Sequence, residues 1–153
     1  MNLVCESVEM NNYLLDTNEV DYSQPIIQEK IAELFDRFQT EVEKAKIAFE
    51  FVRDDIRHSW DIKGNRVTCA ASDTLAYREG ICYAKSHLLA ALLRSQNIPT
   101  GFCYQRLMLF DVPEKGYCIH ALNAIFLRTL NKWIRVDARG KKLSTPNFPR
   151  MKN

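Results

Sequence analysis

No stretch of the 153-residue chain holds the roughly 18 consecutive apolar residues that a membrane-spanning helix needs. The N-terminus, MNLVCESVEM, has no basic segment followed by an apolar run, so it does not read as a secretory leader. Cys5 lies in LVC, which matches the end of a lipoprotein cleavage site, but the four residues before it here do not themselves form a leader. The expectation is a soluble, cytoplasmic protein with no membrane partner. No CxxC pair occurs, and the five cysteines, Cys5, Cys69, Cys82, Cys103 and Cys118, are odd in number. A disulfide scaffold, a zinc ribbon and a CxxC redox motif are thereby disfavoured, and reduced thiols fit best. No internal repeat or low-complexity tract appears, and a chain of this length supports one well-packed core, so residues 1–153 read as a single domain.

What the sequence does contain is charge segregation. Residues 1–60 carry 13 acids against 6 bases, and residues 61–153 carry 6 acids against 15 bases, a difference of sixteen units between the halves. The basic residues are not grouped in a known nucleic-acid motif, so mutual attraction of the halves is favoured over a nucleic-acid partner.

Local pattern sets the order of elements. SQPIIQEKIAELFDRF has Pro25 in its first turn and Ile27, Ile31, Leu34, Phe35 and Phe38 at helical spacing, predicting an amphipathic helix. Thr40 and Glu43 form a capping-box pattern ahead of a second stripe, Val42, Ala45, Phe49, Val52 and Ile56. Residues 57–80 read as a polar surface loop. From Cys82 to about Gln96, the side chains of Ala84, Leu88, Leu89, Ala91, Leu92 and Leu93 wrap most of a helix, which should therefore be central and buried, with Asn97 and Pro99 ending it. Three aromatic and β-branched runs follow, GFCYQRLMLF, YCIHALNAIFL and WIRVD, separated by turns near 113–116 and 129–132. Helices followed by an antiparallel meander predict an α+β domain with the central helix packed on the sheet.

Cys82 at the head of that helix meets unpaired backbone N–H groups and the positive end of the dipole, both of which favour a thiolate. Lowering a thiol pKa from about 8.5 to about 6 requires roughly 3.4 kcal/mol, and a helix end supplies at most about 2. A cationic partner must add the rest, and the chain has three histidines. His87, five residues along the helix, is turned about 140° away. His58 ends the second helix and could reach the thiol only through an unusual loop. His120 lies on a strand of the sheet that covers the central helix, which makes it the favoured base. Asp137 ends the next strand, near enough to be a diagonal neighbour of His120 and to fix its tautomer. Cys118 is two residues before His120 and shares its strand face. It reads first as a small filler beside the site, with a redox lock or a soft-metal site as alternatives.

These segments resemble the transglutaminase-like superfamily of papain-like cysteine enzymes over most of the chain. FVRDDIRHSWDI is similar to the entry into that family's core, REGICYAKSHLLAALLRSQNIPTGFCYQ to its nucleophile helix and first strand, and HALNAIFLRTLNKWIRVDARG to its His and Asp hairpin. The resemblance implies Cys82 as nucleophile, His120 as general base and Asp137 as its partner. It implies a papain-like or transglutaminase-like core, and acyl transfer from an amide to water or an amine; no cofactor is expected, and no metal, since Cys82, Cys118 and His120 offer at most three ligands. Two departures are Lys85 and His87 flanking Ser86, and ALN after the histidine where an aromatic residue is more usual. Trp60 and Gln105 are the candidates to assist the Cys82 N–H at the oxyanion, and Trp60, Tyr83, Tyr104 and Gln105 the candidates to line the substrate cleft. Arg139 and Gly140 read as turn formers. The expected substrate is a peptide or protein amide, with hydrolysis first and cross-linking second. The rivals are a non-catalytic interaction module on the same fold and a thiol-based metal or redox sensor.

Overall fold

The structure is a computed structural model that describes residues 4–140. After a short 3₁₀ turn at Met10–Leu14, helix α1 spans Pro25–Leu34, with proline in its first turn, and α2 spans Glu41–Asp55. The Thr40 side chain accepts from the Glu43 N–H and the Glu43 carboxylate accepts from the Thr40 N–H, so the capping box forms as read. Helix α1 is shorter than its apolar pattern. Asp36 Oδ1 accepts from the N–H groups of Phe38 (2.7 Å) and Gln39 (3.1 Å), a local turn that competes with the helix and leaves Phe38 81% exposed.

Residues 57–80 are not an unbroken loop. Strand β1 (Arg57–His58) pairs in parallel with β2 (Glu79–Gly80), and between them lies α3 (Ala71–Tyr77), with Ala71, Thr74 and Leu75 buried. Strands of two residues carry no periodicity, and α3 is barely two turns long, so neither had a sequence signal.

Helix α4 spans Cys82–Arg94, and its six predicted apolar residues are fully buried. Asn97 takes a left-handed conformation (φ 58°) and the Ile98 N–H returns to the Leu93 carbonyl, closing the helix end before Pro99. Strands β3 (Thr100–Met108), β4 (Tyr117–Leu127) and β5 (Lys132–Val136) form the antiparallel sheet β3-β4-β5. The sheet covers one side of α4 and helices α2 and α3 pack on others, in one continuous core. Arg128 on the sheet side pairs with Glu41 of α2 at 3.5 Å, one contact between the oppositely charged halves.

Close packing fixes the start of α4. A Cβ at Gly80 would lie 2.7 Å from the Ala84 Cβ, which cannot swing away, and 3.0 Å from Thr68 Oγ1, which donates to the Glu79 carbonyl. Gly80→Ala should therefore destabilise the fold by about 1–3 kcal/mol, as overpacking does, and lower Tm by several degrees. Thermal unfolding followed by circular dichroism checks this; an unchanged Tm would show that β2 and α4 can separate freely.

Candidate active site

Cys82 is the first residue of α4, the preceding Ile81 offers no side-chain cap, and the Tyr83 N–H of the first turn hydrogen-bonds the thiol. His120 reaches the same place from β4. The β4-β5 register, Asn123 opposite Val136, continues to place Asp137 one step beyond the ladder, diagonal to His120. The result is a line of three side chains. His120 Nε2–H donates to Asp137 Oδ2 at 2.8 Å, leaving Nδ1 to hydrogen-bond the thiol of Cys82. Asp137 Oδ1 accepts the Arg139 N–H at 3.0 Å, so both carboxylate oxygens are engaged.

The electrostatics favour an ion pair. Burial alone would raise the Cys82 thiol, but hydrogen bonds from the His120 ring and from the Ala121 and Tyr83 N–H groups, with the charge on His120, bring it below the ordinary thiol value. His120 is raised to about 9, first by its hydrogen bond to Asp137 and then by that to Cys82, against the opposing effect of burial. Burial would also raise Asp137; the hydrogen bond and charge of His120, with the Arg139 N–H, lower it instead. Both shifts between Cys82 and His120 favour thiolate and imidazolium.

Supporting contacts come from residues that depart from the family pattern. Lys85, three residues along α4 from Cys82 and almost fully buried, donates from Nζ to the Ile56 (2.7 Å) and Arg53 (3.3 Å) carbonyls at the end of α2. Burial holds its pKa down to about 8. Asn123, from the ALN segment, donates from Nδ2 to the Ser86 carbonyl of α4 (3.0 Å) and the Gly101 carbonyl of β3 (3.4 Å), tying the nucleophile helix to the sheet that carries His120. Arg139 does more than shape a turn: its guanidinium pairs with Asp61 at 2.9 Å and braces the segment after β1 against the Asp137 corner. Gly140 does occupy a turn conformation that favours glycine, at φ 59°.

Cys82, His120 and Asp137 open onto a cleft of about 1490 Å³. Trp60 and Gln105 line it, Trp60 with 74% of its surface exposed and Gln105 opposite His120 in the β3-β4 ladder. Tyr83 and Tyr104 do not; they pack on each other with ring centroids 5.9 Å apart. Cys118 is exposed in the cleft wall. Among the described residues no group of three or more His, Cys, Asp or Glu side chains is placed to hold a metal ion.

His87 is turned away as its helical position requires, with Nδ1 2.7 Å from the Cys69 carbonyl and its ring edge-on to Phe102. His58 departs from expectation, because it lines the cleft. The parallel β1-β2 pairing sets it opposite Gly80, two residues before Cys82, and no local pattern foretells a contact between chain segments so far apart.

No curated protein matches the chain. A solved structure of a protein from Cytophaga hutchinsonii, proposed to be a cysteine protease, shares the fold with a TM-score of 0.66 and 18% identity over 87% of this chain. The chain spans only 43% of that structure's length. Residues 29–138, from within α1 to just past Asp137, match the Transglutaminase-like superfamily. Most of the chain, including all three aligned side chains, lies within that match, and the protein belongs to the transglutaminase-like superfamily.

Proposed function

We propose that this protein transfers acyl groups from peptide or protein amides through a thioester on Cys82, with water as the first-choice acceptor and an amine as the second. The observation that carries the reading is the aligned set of Cys82, His120 and Asp137, in which the thiol is lowered and the imidazole raised. The thiolate attacks the amide carbon, forming the S–C bond as the C=O π pair moves to oxygen. Collapse of that oxyanion breaks the C–N bond, and His120 Nδ1–H protonates the departing amine. The neutral imidazole then takes a proton from water or an incoming amine, which attacks the thioester and releases Cys82. Asp137 keeps Nε2 protonated throughout, so Nδ1 faces the reacting atoms.

The cleft wall suggests the donor. Leu107 and Met108 at the end of β3 and Phe110 in the turn after it, with Ile81 and Ile119, present apolar surface, and Phe110 is 74% exposed. Phe110 adopts a left-handed backbone conformation (φ 56°), rare for an aromatic residue. Donors with bulky apolar side chains beside the reacting amide fit this wall best.

The test offers a broad peptide and amide library to the protein, followed by acid quench and intact mass. The expected result is an acyl adduct on Cys82 that hydroxylamine releases, strongest with apolar donors. A Cys82 that stays unmodified across the library overturns the reading.

A further inference from the structure

The acyl-transfer steps above leave His58 unused, although it is one of the residues that line the cleft. Its position is fixed from both sides. The Ser59 N–H donates to the Gly80 carbonyl at 3.2 Å, holding β1 beside the residues that lead into Cys82, and the Trp60 N–H donates to His58 Nδ1 at 3.3 Å. A backbone N–H can only donate, so Nδ1 is the acceptor and a neutral ring carries its proton on Nε2. Among the described residues that Nε2–H has no protein acceptor. Beside it, Ser59 Oγ is buried with no hydrogen-bond partner among the described residues.

The surroundings keep the ring neutral. Burial first, then the charge of Arg139, with smaller contributions from Lys85 and His120, lower its pKa to about 4; Asp61 opposes them. A second imidazolium would also compete with His120 for the thiolate. A neutral donor, by contrast, can stabilise a developing negative charge without surrendering its proton.

Resting on the acyl-transfer reading, we propose that His58 is a catalytic residue, the side-chain oxyanion donor: its Nε2–H hydrogen-bonds the acyl oxygen as Cys82 attacks, alongside the Cys82 backbone N–H. The two donors considered from sequence are less suited. The Trp60 ring is largely in solvent, and Gln105 is an exposed side chain on β3, beside the base His120 rather than beside the strand that leads into Cys82. His58 alone of the three is anchored to the strand that precedes the nucleophile.

The experiment compares two reactions of Cys82. Acyl transfer passes through an oxyanion, whereas alkylation by iodoacetamide is a displacement at carbon that requires the thiolate only. His58→Leu should lower kcat for an apolar donor by about 10²-fold or more, as loss of one oxyanion donor does. KM and the alkylation rate should stay within about two-fold. His58→Gln, which keeps an N–H donor, should recover kcat to within about ten-fold of wild type. Wild-type kcat in His58→Leu overturns the inference, as does a parallel loss of alkylation, which would mark a structural role. If His58→Leu does not fold by circular dichroism, His58→Phe replaces it, and failure of both also overturns the proposal. A wild-type protein that forms no acyl adduct at all removes the acyl-transfer reading and this inference together. Normal acylation in a folded, donor-less variant removes this inference alone.

Discussion

Cys82→Ala should abolish turnover, lowering kcat/KM on any confirmed amide or thioester donor by at least about 10⁴-fold, the scale seen when a covalent nucleophile is removed from a comparable triad. The thioester cannot form without its sulfur, and no other thiol can take over. Cys118 shares the cleft but lies on a strand, without the N–H groups of a helix start, and Cys103 is pushed up by burial. Cys118→Ser should accordingly keep near wild-type activity. The substitution at 82 removes one partly buried sulfur, so the variant should remain folded, which circular dichroism verifies. A folded Cys82→Ala with wild-type activity would sink the acyl-transfer mechanism, and an interaction module on the same fold would replace it.

Much of this site was legible before the fold because its information is local. The capping box at Thr40 and Glu43, the apolar wrap of α4 and the turn near 129–131 each depend on residues a few positions apart. The turn between β4 and β5 fixed their register, and the register brought Asp137 to His120. What remained hidden depends on contacts between distant segments. His58 enters the cleft only through a two-residue parallel pairing with Glu79–Gly80, across an intervening helix. Lys85 looked like a departure from the family pattern, yet its buried ammonium accounts for the carbonyls at the end of α2. Such a role exists only after α2 and α4 have packed. Phe38 shows the reverse limit: its spacing was helical, but the Asp36 side chain offered the backbone a better local partner.

His120→Ala should cost nearly as much as Cys82→Ala, and the pH profile separates its role from that of Asp137. The thiol is lowered and the imidazole raised to about 9, so kcat/KM should rise on the acid side as Cys82 ionises and fall through about pH 9 as His120 loses the proton needed by the leaving amine. In His120→Ala the thiol loses its largest favourable contact, and its ionisation should move up toward the ordinary thiol range. Asp137→Asn acts differently. It removes the largest cause of the raised imidazole, so the alkaline limb should move down from about 9, and it weakens the hold on the Nε2–H tautomer. The analogous change in a serine protease costs about 10⁴-fold in kcat; a thiol ionises more readily, so about 10²- to 10³-fold is expected here. Folding is linked to the same proton. A histidine raised in the folded state contributes stability that is complete below its ordinary value near 6.5 and is lost as pH rises through about 9. The lowered Lys85 and Cys82 contribute with the opposite sign as pH rises, so the His120 effect is read as a difference: the stability advantage of wild type over Asp137→Asn should shrink across that window. The measurements are kcat/KM from pH 5 to 10 and urea unfolding at pH 6.5 and 9.5. An alkaline limb that stays at the same pH in Asp137→Asn would show that Asp137 does not govern the charge on His120.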